Sequence, residues 1–314
     1  METQTPTVAV VGQLARDLVL RVPDSPGPGQ AADASDRCEQ LGGKGANQAV
    51  GLAQLGTHPA LVAVVGDDDV GTDLLAQARR DGIDVSAVVR REQTATGLIV
   101  EVLDDAGRWR YVQHLPEEVL LSEGDVRAAK DVISSADAVL VQLQQPPAAA
   151  LVAARIGVGA GRLVVLDGVP PASHRPELLG ACDVLRADAH EAELLLGASS
   201  DDPGAVRAAA TDLLSEGPSL VAVGLADGNL FVWRDGTLTV PLTEEDMVDT
   251  TGGGDAFVAA LTAALLRGHG YAEAACHAVA ASGATIGHAG GRPDLDAGAM
   301  RQRVAAIQGR LTDG

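Results

Sequence analysis

Asp249-Thr-Thr-Gly-Gly-Gly-Asp255-Ala-Phe257 sets three glycines between two acids, and past them Phe257, Ala260, Leu261, Ala264 and Leu265 recur at helical spacing. The pattern predicts a helix that begins near Asp255. Glycines let a backbone approach an anion closely, and the unpaired N–H groups of a helix start, together with its dipole, stabilise negative charge. A phosphate fits such an end. The Asp255 carboxylate then has two readings: it caps the helix, or it takes a proton from a hydroxyl that attacks a phosphoryl group held by those N–H groups. The spacing alone leaves both open.

Outward from this stretch, short Val/Leu/Ile-rich runs alternate with Ala/Leu-rich helical patterns, which predicts an α/β fold with a parallel sheet covered by helices on both faces. The 314 residues suffice for one large domain with a smaller appendage. A net charge of −20 argues against nucleic-acid or anionic-membrane partners, because neither is bound without a basic patch. An acidic protein that binds a nucleotide must rely on local devices: glycine-loop N–H groups, a helix N-terminus and a divalent cation. Cys38, Cys182 and Cys276 are widely spaced and suggest neither a disulfide framework nor a cysteine zinc site. The seven histidines show no His-x-x-x-His or His-Glu-x-x-His spacing, so zinc catalysis is unsupported. There is no Gly-x-Ser-x-Gly elbow. The polar first residues and the lack of a long apolar run lead to the expectation of a cytoplasmic protein.

Residues 8–11 read as a buried strand ending at Gly12, where a ligand crevice would open, and Asp17 follows within reach of it. Position alone equally allows Asp17 to be a solvated turn residue. Leu41-Gly-Gly-Lys-Gly-Ala-Asn47 leads into a helical pattern over 48–55 that Gly56 ends, so a second glycine-rich turn opens a second helix. Lys44 is one of only two lysines among 23 basic residues. The spacing around it is not that of a Walker loop. Residues 96–103 and 108–113 flank the hairpin turn Asp104-Asp-Ala-Gly107, and with 18–22 they suggest a small sheet outside the main one. Gln144 and Asp188 stand just past predicted strands, and Asp188-Ala-His-Glu191 has the pattern of a capping box.

Gly42-Gly-Lys-Gly-Ala-Asn47 and Asp249-Thr-Thr-Gly-Gly-Gly-Asp255-Ala-Phe257 together resemble the two signatures of the ribokinase-like (PfkB) carbohydrate kinases. The resemblance continues through Gly66-Asp-Asp-Asp-Val-Gly71, Asp81-Gly-Ile-Asp84, Thr96-Gly97, Gln142-Leu143 and Glu191-Ala-Glu193. It implies a doubly wound, mostly parallel sheet with helices on both faces plus a small β lid, residues 1–13, 40–90 and 114–314 forming the kinase domain and 14–39 and 91–113 the lid. The implied activity is ATP-dependent phosphorylation of a hydroxymethyl group of a sugar. Asp255 is then the general base, and Gly252, Gly253 and Gly254 form the anion hole. By the same resemblance Asp17, Gly43, Lys44, Asn47 and Gln144 bind substrate, and Asp188, Val223, Gly228 and His277 bind nucleotide. Glu191 is linked to Mg2+ through water, whereas Asp249 and Thr251 border the monovalent-cation site, for K+, that some members have. A homodimer through the lid is a further expectation of the family.

Several positions depart from the family pattern. Ala15 stands where an Asn is usual, Gln144 replaces a Glu, Asp188 an Asn, and Leu225 the first glycine of a Gly-x-x-Gly. Ala15 and Gln144 weaken a ribose assignment, because an unpaired buried polar group costs about 1–3 kcal/mol and shifts specificity accordingly. Leu115-Pro-Glu-Glu118 puts acids near the sugar mouth and favours a neutral sugar over a phosphorylated one. Two alternatives accompany the sugar-kinase reading: a nucleoside kinase of the same family, and a sugar-binding regulatory protein that has lost turnover.

Overall fold

A computed structural model describes residues 5–242, 251–287 and 291–312. Strand β1 (Thr7–Val11) shows why its sheet must be covered twice: Val8 and Val10 pack into one hydrophobic layer, Ala9 and Val11 into a second on the opposite face. The chain then leaves the sheet as the antiparallel pair β2 (Ala15–Val22) and β3 (Asp36–Gly42) and returns through α1 (Lys44–Gln54). It continues through β4 (His58–Val62), β5 (Val64–Gly66), α2 (Asp69–Arg80), β6 (Val89–Arg91), β7 (Leu98–Asp104) and β8 (Trp109–His114). Next come α3 (Glu123–Ala128), α4 (Lys130–Ser135), β9 (Ala138–Gln142), α5 (Pro147–Gly159), β10 (Leu163–Asp167) and α6 (Arg175–Leu179). The remainder is β11 (Val184–Ala187), α7 (Ala189–Leu196), α8 (Pro203–Leu213), β12 (Leu220–Gly224), β13 (Gly228–Trp233), β14 (Gly236–Pro241), α9 (Gly253–Leu266), α10 (Tyr271–Ile286) and α11 (Ala297–Thr312).

The main sheet has the order β14-β13-β12-β11-β10-β9-β1-β4, parallel from β4 to β12 and antiparallel only at β13 and β14. The order reverses at β1: the chain first adds β4 on one side of it and later builds β9 and the following strands outward on the other. The crevice outside the carboxyl end of such a strand is where ligands of these sheets bind. α1, α9 and α10 contribute to the layer that holds Val8 and Val10, and α5, α7 and α8 to the other. This is the doubly wound, mostly parallel arrangement expected.

A second, four-stranded sheet has the order β3-β2-β7-β8. Its β7–β8 turn is the expected Asp104–Gly107 hairpin, with Gly107 at φ 76. Strand β3 was not legible in the sequence, because four of its seven residues are exposed and carry no alternating apolar pattern. It runs to Gly42 and so ends directly against α1. Boundaries elsewhere shift by a few residues: α1 starts at Lys44 rather than at 48, and residues 58–66 split into β4 and β5. Among the described residues no helix is long and apolar enough to cross a membrane.

Candidate active site

Gly252 is the N-cap of α9 in a left-handed conformation, φ 70, and an added Cβ would stand 1.6 Å from the carbonyl oxygen of Gly291. Only glycine fits. Helix α9 thus begins at Gly253, two residues before the expected start, and Ala256 N–H donates to the Gly252 carbonyl as its first internal bond. The N–H groups of Gly253, Gly254 and Asp255 have no acceptor within the helix and carry its positive dipole end. Asp255 therefore lies inside the first turn, and no side chain caps the N-terminus. The capping alternative is not realised.

The Asp255 carboxylate, 5% exposed, instead faces the start of α1. Asn47 Nδ2 donates to its Oδ2 at 3.4 Å, and Gln48 Nε2 donates to its Oδ1 at 3.1 Å. Two glycine-led helix starts thus meet, because the β1–β2 and β3–α1 turns interlock: a Cβ on Gly45 would stand 2.7 Å from the Gly12 carbonyl carbon. Asp17 on β2 reaches the same place. Its carboxylate packs where a Gly42 Cβ would be, is 8% exposed, and accepts the Gly43 N–H. Its Oδ1 is buried without a hydrogen-bond partner, as are Asn47 Oδ1 and Gln142 Oε1.

Electrostatics reinforce the convergence. Burial first, and then the charge of Asp167, push the Asp255 carboxyl up to about 7 against the opposing pull of Lys44 and Arg186. Burial and the neighbouring Asp255 raise Asp17 to about 7 as well. Burial opposes the Lys44 charge, yet Asp167, Asp255 and Glu191 together hold the ammonium above its ordinary value. Lys44 Nζ lies 3.7 Å from Glu191 Oε1.

Three participants were not singled out from sequence. Gln48 bridges the acids, donating to Asp167 Oδ2 at 2.8 Å as well as to Asp255. Arg186 pairs with Asp167 Oδ1 at 2.9 Å, stacks 5.5 Å from the Phe257 ring centroid, and lays its guanidinium against Gly254, where an added Cβ would stand 2.6 Å from one terminal nitrogen. The signal for Asp167 and Arg186 was available: both stand at carboxyl ends of parallel strands, the rule that selected Gln144 and Asp188.

The other candidates fall as follows. Asp188 and Glu191 form the expected capping box at α7: Glu191 N–H donates to Asp188 Oδ1 at 2.8 Å, and Asp188 N–H to Glu191 Oε2 at 2.9 Å. Gln144 is exposed just past β9, and its carbonyl accepts from Gln13 Nε2 at 3.2 Å. Thr251 Oγ1 accepts the Tyr111 hydroxyl at 2.6 Å, joining β8 of the small sheet to the glycine triplet. Val223 and Gly228 lie on β12 and β13, and Leu225 between them is 4% exposed, so this departure from the family pattern fills the core. Asp249 lies outside the described residues. His277 is not brought to the cluster. It sits on α10 nine positions before Ile286, the residue that approaches Gly253, which is about 13 Å along the helix.

The chain is similar to known proteins over most of its length. The pfkB family of carbohydrate kinases matches residues 5–297. Ribokinase of Haemophilus influenzae is 30% identical over 291 residues, covering 92% of this chain and 95% of that protein. Deoxyribokinase of Salmonella typhi is 28% identical over 255 residues, 80% and 83% of the two chains. The structure of Arabidopsis thaliana ribokinase complexed with ribose and ATP superposes with a TM-score of 0.78 at 25% identity, over 97% of this chain and 99% of that one.

Proposed function

The chain belongs to the PfkB family of carbohydrate kinases, and from that premise we propose that it transfers the γ-phosphoryl group of ATP to a hydroxymethyl group of a neutral sugar. The observation that carries this reading is the buried Asp255 at the glycine-led start of α9, free of any capping role and facing Asn47 and Lys44 across the crevice. Asp255 takes the proton of the attacking hydroxyl. The N–H groups of Gly253, Gly254 and Asp255 hold the charge that builds on the transferred group, so positioning and electrostatics supply most of the catalysis. Asp17 and Asn47, each with a buried oxygen awaiting a donor, accept sugar hydroxyls. Lys44 and Arg186 contribute positive charge beside the phosphates. The four-stranded sheet serves as a lid, fastened over the glycine triplet by Tyr111 and Thr251.

Asp188 and Glu191 suit Mg2+, since each carboxylate spends one oxygen on the capping box, Asp188 keeps the other for a hard cation's water shell, and the second oxygen of Glu191, 3.7 Å from Lys44 Nζ, could share such a water. When bound, the ion would neutralise part of the phosphate charge. K+ beside Thr251 and Asp249 stays a proposal from family resemblance alone.

ADP release is measured with Mg2+ and K+ over pentoses, deoxypentoses, hexoses, sugar phosphates and nucleosides, with Asp255→Asn as control. Turnover of one sugar is expected, and it falls by about 10²–10⁴-fold in the variant, the usual contribution of a general base. Turnover of nucleosides only would favour the nucleoside-kinase alternative. Sugar binding without ADP release would favour the regulatory one.

A further inference from the structure

At the other end of α9 from Asp255, separated by the 14 residues of that helix or about 21 Å, three metal-ligating side chains converge. His269 lies in the α9–α10 connection, where its N–H donates to the Ala264 carbonyl at 3.2 Å. Glu273 stands in the first turn of α10 and His277 one turn later, so the spacing of four residues sets both on the helix face that His269 approaches. His269 Nδ1 is 2.9 Å from Glu273 Oε2, the two imidazole centroids are 5.1 Å apart, and one donor atom from each of the three residues falls within 4.8 Å of the others. Among the described residues this is the cluster in which three such donors meet.

We propose that His269, Glu273 and His277 form a binding site for a divalent transition metal of the zinc class, which ties the α9–α10 connection to the second turn of α10. Two imidazoles and one carboxylate, with water in the fourth position, are a donor set that zinc accepts. Bonds of 2.0–2.2 Å place tetrahedral donors about 3.3 Å apart, a contraction that side-chain rotation supplies. Charge is compatible: neutral imidazoles with one carboxylate leave the cluster anionic, and the nearby Arg267 guanidinium is engaged by the Leu55 carbonyl. The site is independent of the proposed phosphoryl transfer. His277 was expected at the nucleotide, and its neighbours point to a metal instead.

The full chain, stripped with chelator, is titrated with ZnCl2 by calorimetry and its thermal unfolding is followed with and without zinc. Binding at this site is expected to raise the unfolding temperature, and His269→Ala or His277→Ala is expected to weaken it by at least about tenfold, the loss that even an outer partner of a metal ligand causes. The double variant abolishes it, whereas Asp255→Asn leaves it intact. Because substitution at a helix start could disturb folding, Co2+ is also added to the unaltered chain, where it shifts the imidazole proton resonances of His269 and His277 alone among the seven histidines. Zinc binding unchanged in the double variant, no binding at all, or cobalt shifts on other histidines would overturn the proposal.

Discussion

Asp255 and Asp17 are two buried carboxylates, each raised to about 7, and the charge of Asp255 is among the causes for Asp17. Groups that interact this way lose their protons as a pair. A general base acts only when ionised, and Asp17 accepts hydroxyl protons best in the same form, so kcat/KM should fall as pH drops through about 7. Ordinary carboxylates would leave it flat to about pH 4. A pH profile between about 5 and 9 tests this on the free enzyme. In Asp17→Asn the acid limb should move to lower pH, since one negative neighbour is gone; a limb that stays in place would mean that Asp17 does not couple to the base. Reading residues singly reached Asp255, Asp17, Lys44 and Asn47 but passed over Gln48, Asp167 and Arg186. Gln48 reads in sequence as the first residue of a helical pattern, and only the meeting of α1 with α9 gives its amide two acids to bridge.

At the scale of the element, the decisive feature is how α9 starts. The glycine triplet was legible as an anion-binding turn, but the helix start was displaced by two residues, because glycine carries no side-chain signal that separates a cap from a first turn. The three glycines are not equivalent. Gly252 needs its left-handed φ, Gly253 faces Ile286 and Ser282, and Gly254 makes room for the Arg186 guanidinium. Gly254→Ala isolates that last role. Alanine in a helix is favoured over glycine by about 0.5–1 kcal/mol, and Gly254 has no positive φ to forbid it, so the backbone itself accepts the change. The new Cβ would stand 2.6 Å from Arg186, which must then leave its place between Asp167 and the helix start. Turnover should fall by about tenfold or more while the unfolding midpoint stays close to that of the parent, with activity and denaturant curves measured on the same sample. Full activity would show that Arg186 has no part in holding the transferred group.

For the whole molecule, the two-sheet plan was legible because buried strands are continuous apolar runs; of the small sheet's edges β8 was legible through its hairpin turn, whereas β3, exposed at four of its seven residues, was not. Those edges carry the last consequence. Among the described residues β3 and β8 each pair with one neighbouring strand, and all six residues of β8 are exposed, among them Trp109, Tyr111 and Val112 at 44%, 38% and 70%. Exposed strand edges with apolar side chains are usually covered by another chain, and a stable interface needs about 800 Å² per partner. We propose a homodimer joined through the small sheet, which would cover these edges and hold the same element that Tyr111 ties to the glycine triplet. The net charge of −20 works against it, because like charges repel until salt screens them. Light scattering should therefore find a dimer whose dissociation weakens as ionic strength rises toward physiological values. Val112→Asp, adding charge to the strand without touching the crevice, should return it to the monomer. A monomer at every salt concentration would leave the edge of β8 to another partner, and a dimer unaffected by Val112→Asp would move the interface to a different face of the molecule.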